Sequence, residues 1–407
     1  MDRPLSHLRV LDLTRILAGP WAAQTLADLG AEVIKVERPR AGDDTRSWGP
    51  PWLKDAAGAD TAESAYFLSV NRGKKSVTVD LSKPAGQRLV RALAAKSDVL
   101  IENYKVGDLA RYGLAYDDVR KANPGIVYCS VTGFGQDGPY AQRPGYDFVF
   151  QGMCGLMSIT GERDELAGGG PQKVGIAVTD VLTGMYASLA ITAAIAHRQL
   201  TGTGQYIDLA LLDTLVAFNA NSILNYWCSG EIPQRFGNAH ANIVPYEAFA
   251  SADGHIILAV GNDGQFASFC RIAGRPELAE DPRFRTNPER VRHRAVLVPI
   301  VQAIVRQRTS RDWIERLEAA SVPCGPINNM KEVFENPQVR HRGLALEIPH
   351  PAGVPCPTVA SPIRFSATPL EHRVPPPRLG EHTREVLGAV LGLSGGEIDS
   401  LAAAGIV

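Results

Sequence analysis

Strand-like and helix-like segments alternate from Leu8 to Val131, and this alternation restricts the fold more than any other feature of the 407-residue chain. The strand-like segments are short and apolar, whereas the segments between them have the apolar spacing of helices. A helix that joins two neighbouring strands returns the chain to the same end of the sheet, so the strands run parallel. The strand-like segments are Leu8–Leu13, Ala31–Glu37, Ser76–Leu81, Asp98–Glu102 and Ile126–Val131, and the helix-like segments are Pro20–Leu29, Pro84–Lys96 and Asp108–Ala122. They predict an α/β fold with an open, mostly parallel sheet.

The pattern changes near residue 220 and again near residue 345. Between these positions lie a Gly/Asn-rich loop, a strand pair around Asp253-Gly254 and amphipathic helices near Gln265–Ile272 and Arg290–Val305, which predict a smaller α+β domain. A Pro-rich stretch then leads to a last helix, Thr383–Leu391. We therefore predict a large domain with a Rossmann-like sheet, formed by residues 1–220 and 345–407, and a small domain formed by residues 221–344.

Charge and cysteine composition disfavour several classes of partner. The chain has 42 Lys and Arg residues against 43 Asp and Glu residues, a net charge of -1, so no overall attraction to nucleic acid or to an anionic membrane is expected. The six cysteines form no CxxC motif and the nine histidines form no HExxH motif, which disfavours a metal site and fits a reducing compartment. A strand-like segment begins close to the N-terminus, and the uncharged stretch Val181–Ala196 is shorter than the ~20 residues that span a bilayer. We expect a cytoplasmic protein without metal, nucleic-acid or membrane partners.

Asp180 lies within the longest apolar run of the chain, Val174–Ala187. This position predicts the first turn of a buried helix, where unpaired backbone N–H groups and the helix dipole keep a carboxylate ionised at neutral pH. An ionised carboxylate can act as a nucleophile. The alternative from this segment alone is that Asp180 is only the N-cap of a core helix.

A nicotinamide-dependent oxidoreductase is another interpretation of the N-terminal pattern. Glu37 ends the second predicted strand, where a dinucleotide fold places an acidic residue against a ribose. However, the first turn reads Arg15-Ile16-Leu17-Ala18-Gly19-Pro20, which lacks the G-x-G-x-x-G sequence that lets a pyrophosphate approach the backbone. The missing glycines disfavour this class.

Taken together, several blocks of sequence resemble the class III CoA-transferases, the family of formyl-CoA transferase, over essentially the whole chain. The sequences of these blocks are most similar to those of family members that exchange CoA between succinyl-CoA and dicarboxylic acids such as glutarate. The matching blocks are Leu17–Pro20, Gly42–Pro51, Asn71–Ser76, Glu102–Tyr104, Val178–Asp180, Asn238–His240 and Gly325–Met330. The resemblance implies an interlocked homodimer that uses coenzyme A as a cosubstrate and holds no permanently bound cofactor.

In that family an aspartate at the position of Asp180 attacks the acyl-CoA thioester and forms a mixed anhydride, which CoA then converts into an aspartyl-CoA thioester. A carboxylate suits this chemistry because a serine ester would be too stable to pass its acyl group to another acid. A mobile run of glycines supplies backbone N–H groups for the oxyanions in formyl-CoA transferase. Here the nearest segment reads Ala239-His240-Ala241-Asn242, so this chain lacks the run of glycines at the position of the mobile loop.

The resemblance also implies binding residues. The residues expected to bind CoA are Arg15, Ile16, Ala18, Arg38, Arg72, Lys74, Lys75, Asn103, Arg111 and Asp147, with Asp147 placed near the nucleophile. Cations that could meet a distal substrate carboxylate are Arg15, Arg46 and His240. Structural alternatives are a solvated turn for Lys74 and Lys75, a helix cap for Asp147, and an ion pair with Asp43 or Asp44 for Arg46.

Two other functions stay open at this point. An α-methylacyl-CoA racemase of the same fold uses a histidine base, and its histidine would fall at Tyr146. A tyrosine, whose ordinary pKa is near 10, is a poor base at neutral pH. A non-catalytic acyl-CoA-binding protein would bind CoA without exchanging acyl groups.

Overall fold

The computed structural model describes residues 3–407 and contains thirteen strands within that range. They are β1 (Arg9–Asp12), β2 (Glu32–Glu37), β3 (Trp52–Lys54), β4 (Asp60–Ser64), β5 (Lys74–Thr78), β6 (Val99–Glu102), β7 (Val127–Thr132), β8 (Tyr206–Ala210), β9 (Tyr246–Ala250), β10 (His255–Ala259), β11 (Cys324–Pro326), β12 (Ala345–Pro349) and β13 (Pro355–Val359). Six of them form one sheet in the order β5-β2-β1-β6-β7-β8, and every pairing in it is parallel. The prediction of an α/β fold with a parallel central sheet is confirmed.

The α-helices of the same range connect and cover these strands. They are α1 (Ala18–Asp28), α2 (Ala65–Ser69), α3 (Pro84–Ala95), α4 (Tyr116–Ala122), α5 (Asp147–Met153), α6 (Leu156–Ile159), α7 (Val178–Thr201), α8 (Leu211–Phe218), α9 (Ala220–Ser229), α10 (Asp263–Ile272), α11 (Glu277–Glu280), α12 (Asn287–Arg292), α13 (Arg294–Val305), α14 (Ser310–Ala319), α15 (Met330–Glu335), α16 (Pro337–His341), α17 (Thr383–Leu391) and α18 (Gly395–Ala403). The helix predicted at Asp108–Ala122 is wrong in its first half. There, a short 3₁₀ helix, Leu109–Tyr112, ends at Gly113 with φ 63° before α4 begins, because a left-handed residue terminates a helix.

The order of the six strands determines where a ligand can bind. Numbered in chain order, the strands lie side by side as third, second, first, fourth, fifth and sixth. The order in which strands are added to the sheet therefore reverses between β1 and β6, which are parallel neighbours. In an open parallel sheet, the crevice beyond the carboxyl ends of two such strands is the usual ligand site. The loops that follow Asp12 and Glu102, the last residues of β1 and β6, therefore lie where a ligand is expected to bind.

The chain divides into two compact units. The first comprises the chain up to Gly155, Val174–Ala220 and Pro337–Val407, and the second comprises Leu156–Lys173 and Asn221–Asn336. The units divide after residue 220 and at Pro337, whereas the sequence pattern predicts domain boundaries after residue 220 and at residue 345. The segment 156–173 belongs to the second unit, although the sequence pattern predicts it in the large domain. Its polar groups bond to residues of the second unit: the Gly237 N–H donates to the Gly161 carbonyl, and Arg235 pairs with Asp164.

The second unit has its own core. Its antiparallel sheet has the order β11-β10-β9, and the strand pair expected around Asp253-Gly254 is β9 and β10. Phe249, Phe266 and Trp313 are 1% exposed in this core. The burial of these large side chains is the main favourable contribution to folding of this unit.

Helices α1 and α7 pack against each other in the first unit. Gly184 permits this approach, because a Cβ atom there would lie 2.6 Å from the Ala18 carbonyl oxygen. Within residues 3–407, α7 is the one helix that is long and apolar enough to cross a membrane, judged by length and composition alone, and half of its most apolar stretch is buried. The close packing places the first turn of α7 beside the first turn of α1.

Candidate active site

The loop after β1 is tied to the loop after β6 at the point where the strand order reverses. The Asn103 side chain accepts a hydrogen bond from the Arg15 N–H (3.0 Å) and donates one to the Arg15 carbonyl (2.8 Å). Both backbone polar groups of Arg15 are therefore held by one side chain. Asn103 therefore has a structural role, because it satisfies the backbone N–H and the carbonyl of Arg15 in a loop that has no neighbouring strand to do so.

Ile16 has the left-handed backbone conformation, with φ 75°. This conformation is unfavourable for a β-branched residue and occurs mostly where the surroundings enforce it, often at functional sites. The Ile16 N–H donates to the Asp43 carboxylate, at 3.3 Å from each oxygen. The strained residue leads directly into Leu17 and the first turn of α1.

Asp180 is the third residue of α7, so it lies in the first turn and is not the N-cap, which is Ala177. The Ala18 N–H, at the start of α1, lies close enough to the Asp180 carboxylate to lower its pKa, and both residues line the same pocket. Two helix N-termini thus meet at one carboxylate, which is the arrangement that backbone N–H groups and helix dipoles favour for an anion.

Asp147 lies beside this carboxylate and is the first residue of α5. One of its oxygens accepts the Thr179 N–H (2.8 Å), and the other accepts the Gln151 side-chain amide (2.7 Å). Asp147 therefore caps α7 from another helix. The two roles considered for it, helix cap and acidic neighbour of Asp180, are compatible.

The expectation that Asp180 is fully ionised at neutral pH is wrong. Burial and, secondarily, the Asp147 charge raise the pKa of Asp180 to about 7, while the Ala18 hydrogen bond lowers it. Burial disfavours the charged form of a carboxyl group, and a second carboxylate repels it. A carboxyl group with this pKa is about half ionised at pH 7 and is more basic than an ordinary aspartate, as expected for a nucleophile in a functional site.

Asp180 opens into a pocket of about 220 Å³. Five of the predicted residues line it: Arg15, Ile16, Ala18, Asn103 and Asp180 itself. Tyr104, Lys105 and Arg143 also line the pocket and were not predicted from the sequence. Arg143 lies three residues after Tyr140, whose ring its guanidinium covers at 4.0 Å. Its position just before the Gly145-Tyr146-Asp147 block is the signal that could have identified it.

Three predicted binding residues lie in buried ion pairs. Burial is complete for Lys74, so its predicted contact with CoA is wrong, whereas the roles predicted for Arg72 and Arg46, whose side chains are 9% and 11% exposed, stay predictions. Lys74 is fully buried, where its Nζ donates to Asp12 (3.0 Å). Burial lowers the pKa of Lys74 to about 8 against the opposing effect of Asp12. Because no atom of the Lys74 side chain reaches the surface, a phosphate of CoA cannot contact it.

Arg72 and Arg46 are held in similar ways. Arg72 donates through two nitrogens to Asp28 (2.9 and 2.6 Å). Arg72 also borders an apolar cavity of about 880 Å³, which shares no lining residue with the pocket of Asp180. Arg46 donates through two nitrogens to Glu37 (2.7 and 2.8 Å) and covers the Phe67 ring at 3.7 Å. The ion-pair alternative for Arg46 is correct in kind, although its partner is Glu37 and neither Asp43 nor Asp44.

The remaining predicted cations are accessible. Arg15 and Arg38 both pair with Asp44, at 2.8 and 2.9 Å. Lys75 is one-third exposed and pairs with two glutamates, and Arg111 pairs with Asp108 at the surface. His240 belongs to the second unit, where its Nδ1 accepts the Asn242 N–H and burial lowers its pKa.

Known proteins resemble this chain in sequence and in fold. The family model described as CoA-transferase family III matches residues 5–383. The succinate–glutarate CoA-transferase of Agrobacterium fabrum is 50% identical over 94% of this chain and 95% of that protein. The succinyl-CoA:glutarate CoA-transferase of Mus musculus is 46% identical over 100% of this chain and 90% of that protein. The crystal structure of a CAIB/BAIF family protein from Brucella suis has a TM-score of 0.83 and 47% identity, and covers 96% of this chain and 100% of that chain.

These matches extend over nearly the full length of the chain, and they include both the parallel-sheet unit and the second unit. The family predicted from the sequence blocks is confirmed. The chain is an enzyme that belongs to CoA-transferase family III.

Proposed function

We propose that this enzyme transfers CoA between succinyl-CoA and glutarate, or a closely similar dicarboxylic acid, with Asp180 as the nucleophile. The observation that carries the proposal is the position of the Asp180 carboxylate, which lies at the meeting point of two helix N-termini and faces a pocket. The choice of acids rests on the relatives in Agrobacterium fabrum and Mus musculus, whose names specify glutarate.

The proposed reaction passes through three covalent intermediates. The Asp180 carboxylate attacks the thioester carbonyl of succinyl-CoA, and the thiolate of CoA leaves, so a succinyl anhydride forms on the aspartate. The thiolate then attacks the aspartyl carbonyl and releases succinate, which leaves an aspartyl-CoA thioester. Glutarate attacks this thioester and expels the thiolate, so a glutaryl anhydride forms on the aspartate. The thiolate attacks the glutaryl carbonyl of this anhydride, which gives glutaryl-CoA and releases the Asp180 carboxylate. The Ala18 N–H is placed to stabilise the oxyanion on the Asp180 carbonyl.

The accessible cations support binding of CoA near Arg15 and Arg38. Both share the carboxylate of Asp44. A phosphate group of CoA would offer the Arg38 guanidinium a second anionic partner, whereas Arg15 lines the pocket of Asp180 at the acyl end of the substrate. Asn103 contributes by holding the backbone of Arg15. We keep Lys75 and Arg111 as more peripheral contacts, since both are exposed and already paired with carboxylates.

The distal carboxylate of a dicarboxylic acid requires a cation at the pocket, because a buried unpaired carboxylate is costly. Arg15, Lys105 and Arg143 line the pocket. Lys105 and Arg143 have exposed side chains without an ion-pair partner among residues 3–407. We propose Arg15 as the principal contact because it lines the pocket and lies closest in sequence to Ala18.

The nucleophile is tested with Asp180→Asn. We expect at least a ~10³-fold decrease in kcat with CoA binding retained, because the acyl acceptor is lost and no binding contact is removed. With succinyl-CoA and the wild-type enzyme, hydroxylamine should label Asp180, located by mass spectrometry. Turnover by Asp180→Asn would overturn the mechanism.

The same preparation separates CoA transfer from racemisation. Labelled glutarate should appear as glutaryl-CoA, whereas an α-methylacyl-CoA in deuterated water should gain no deuterium. Tyr146, at the racemase position, is 63% exposed at the mouth of the pocket. Rapid α-exchange without CoA transfer would support the racemase instead.

The role of Arg15 is tested by comparing succinyl-CoA with butyryl-CoA. A charge-assisted hydrogen bond contributes about 1.5–3 kcal/mol, which corresponds to about a 10- to 150-fold preference in kcat/KM for succinyl-CoA. Arg15→Ala should reduce this ratio more than it reduces affinity for CoA. Equal rates with the two thioesters in the wild-type enzyme would contradict the dicarboxylate assignment.

We further propose an interlocked homodimer and a cytoplasmic location. Apolar side chains of α7, including Met185, Tyr186 and Leu189, are 45–65% exposed in the single chain, and a second copy would cover such a surface. Native mass spectrometry should give a dimer that persists on dilution, because interlocked chains cannot separate without unfolding. A monomer that appears on dilution would refute the interlock.

A further inference from the structure

Two charged side chains lie buried beneath the loop that precedes α1. The Nζ of Lys35 lies 2.9 Å from the Asp43 carboxylate, and both side chains are completely buried. Lys35 also donates to the carbonyl of Thr14 (2.8 Å). The pair therefore contacts the backbone of the loop after β1 directly, one residue before Arg15.

The Asp43 carboxylate is shared between two backbone segments. It accepts the N–H and the hydroxyl of Thr45, at 2.9 and 2.7 Å, and the N–H of Ile16. The Ile16 conformation is unfavourable for a β-branched residue. Such a residue keeps a left-handed φ only if its surroundings hold it there, and Asp43 supplies the contact to its N–H.

Ile16 is followed by Leu17 and then by Ala18, whose N–H lies close enough to the Asp180 carboxylate to lower its pKa. A change of φ at Ile16 would rotate the following peptide units and redirect the Ala18 N–H. We propose that Asp43, neutralised by Lys35, is a positioning residue that holds the Ile16 backbone so that the Ala18 N–H faces the Asp180 carboxylate. This inference rests on the proposed nucleophilic role of Asp180.

The groups that face Asp180 come from several elements. Asp147 belongs to α5, Tyr66 to α2, and the pocket cations Arg15, Lys105 and Arg143 to loops. Asp43→Asn replaces none of these side chains, and loss of the Asp43 charge lowers the pKa of Tyr66. Two effects of this substitution on Asp180 have opposite signs. Loss of the Asp43 charge would lower the pKa of Asp180, whereas loss of the Ala18 hydrogen bond would raise it.

The test is the pH dependence of kcat/KM for CoA transfer from succinyl-CoA to glutarate, which loses activity as Asp180 is protonated. For Asp43→Asn we expect this acid-side inflection to rise by about half a unit or more. We also expect kcat to fall at least ~10-fold, with the KM for succinyl-CoA changed by less than about 3-fold. An inflection that is unchanged or lower, with kcat unchanged per active site, would overturn the proposal.

Asp28→Asn is the matched control. Asp28 is also a buried carboxylate with a basic partner, Arg72, but it lies ten residues after Ala18, about 15 Å along α1. This control should lower the melting temperature without moving the inflection. If Asp28→Asn moved the inflection equally, Asp43 would have only a general structural role.

A second variant covers the case in which an unpaired Lys35 prevents folding. Asp43→Asn combined with Lys35→Met removes both buried charges, and the same rise of the inflection is expected. Activity of Asp180→Asn identifies a failure of the proposed nucleophile. Inactivity of Asp180→Asn together with a normal profile in both Asp43 variants identifies a failure of the positioning role alone.

Discussion

Replacement of Asp180 by Asn should stabilise the protein at alkaline pH while it abolishes turnover. The pKa of Asp180 is about 7 in the folded protein, against an ordinary value of 3.8, because burial and Asp147 disfavour its charged form. Between these pH values the folded protein binds more protons than the unfolded chain, so the free energy of unfolding falls as pH rises and levels off above pH 7. Asparagine carries no titrating proton. The stability of Asp180→Asn relative to the wild type should therefore increase by about 2–3 kcal/mol between pH 5 and pH 8.

Thermal and denaturant unfolding of both proteins at pH 5, 6, 7 and 8 would measure this difference. Glu32→Gln is the control, because hydrogen bonds from Arg9 and Lys75, against the effect of burial, hold the pKa of Glu32 below its ordinary value of 4.5. The stabilising effect of the Glu32 charge is fully present above pH 4.5 and is lost below it. The partners of Glu32 are an arginine and a lysine, so the difference of Glu32→Gln from the wild type should stay constant from pH 5 to pH 8. A difference for Asp180→Asn that is also constant over this range would refute the raised pKa.

Two further predictions concern the buried cations. Arg46→Ala should decrease the free energy of unfolding by about 3 kcal/mol, because it leaves Glu37 buried without its partner; denaturant unfolding measures this, and the preference for succinyl-CoA over butyryl-CoA should stay unchanged. Lys74→Met should leave the KM for succinyl-CoA within about 2-fold of the wild type, since the Lys74 side chain has no exposed surface; steady-state kinetics at saturating glutarate measure this, and a 10-fold increase would show that Lys74 reaches the substrate.

The sequence was most informative where function depends on short-range patterns. Apolar periodicity places Asp180 in the first turn of a long helix, and the residues after β1 and β6 follow from the strand predictions. The roles of Lys74 and Lys75 could not be separated in this way. They are neighbours at the start of β5 and point to opposite faces of the sheet, so one is completely buried and the other is one-third exposed.

The ion-pair partners of the buried charged residues also could not be predicted from the sequence. Glu37 and Arg46 are nine residues apart, and nothing in that spacing distinguishes their pairing from one between Arg46 and Asp43 or Asp44. Likewise, the pKa of Asp180 depends on Asp147, which lies 33 positions earlier in the chain. A helix N-terminus alone predicts an ionised carboxylate, and only the three-dimensional proximity of a second carboxylate, together with burial, reverses that prediction.

The close contact of α1 and α7 at Gly184 has a consequence for how such an enzyme can change its substrate. The carboxylate and its N–H donor belong to two rigid helices that touch at a glycine, whereas the cations Lys105 and Arg143 lie on loops. Substitutions in loops usually leave a packed helix pair undisturbed. New acid specificities can therefore arise by exchange of a few loop side chains, and a directed-evolution library restricted to those loops should retain the covalent chemistry.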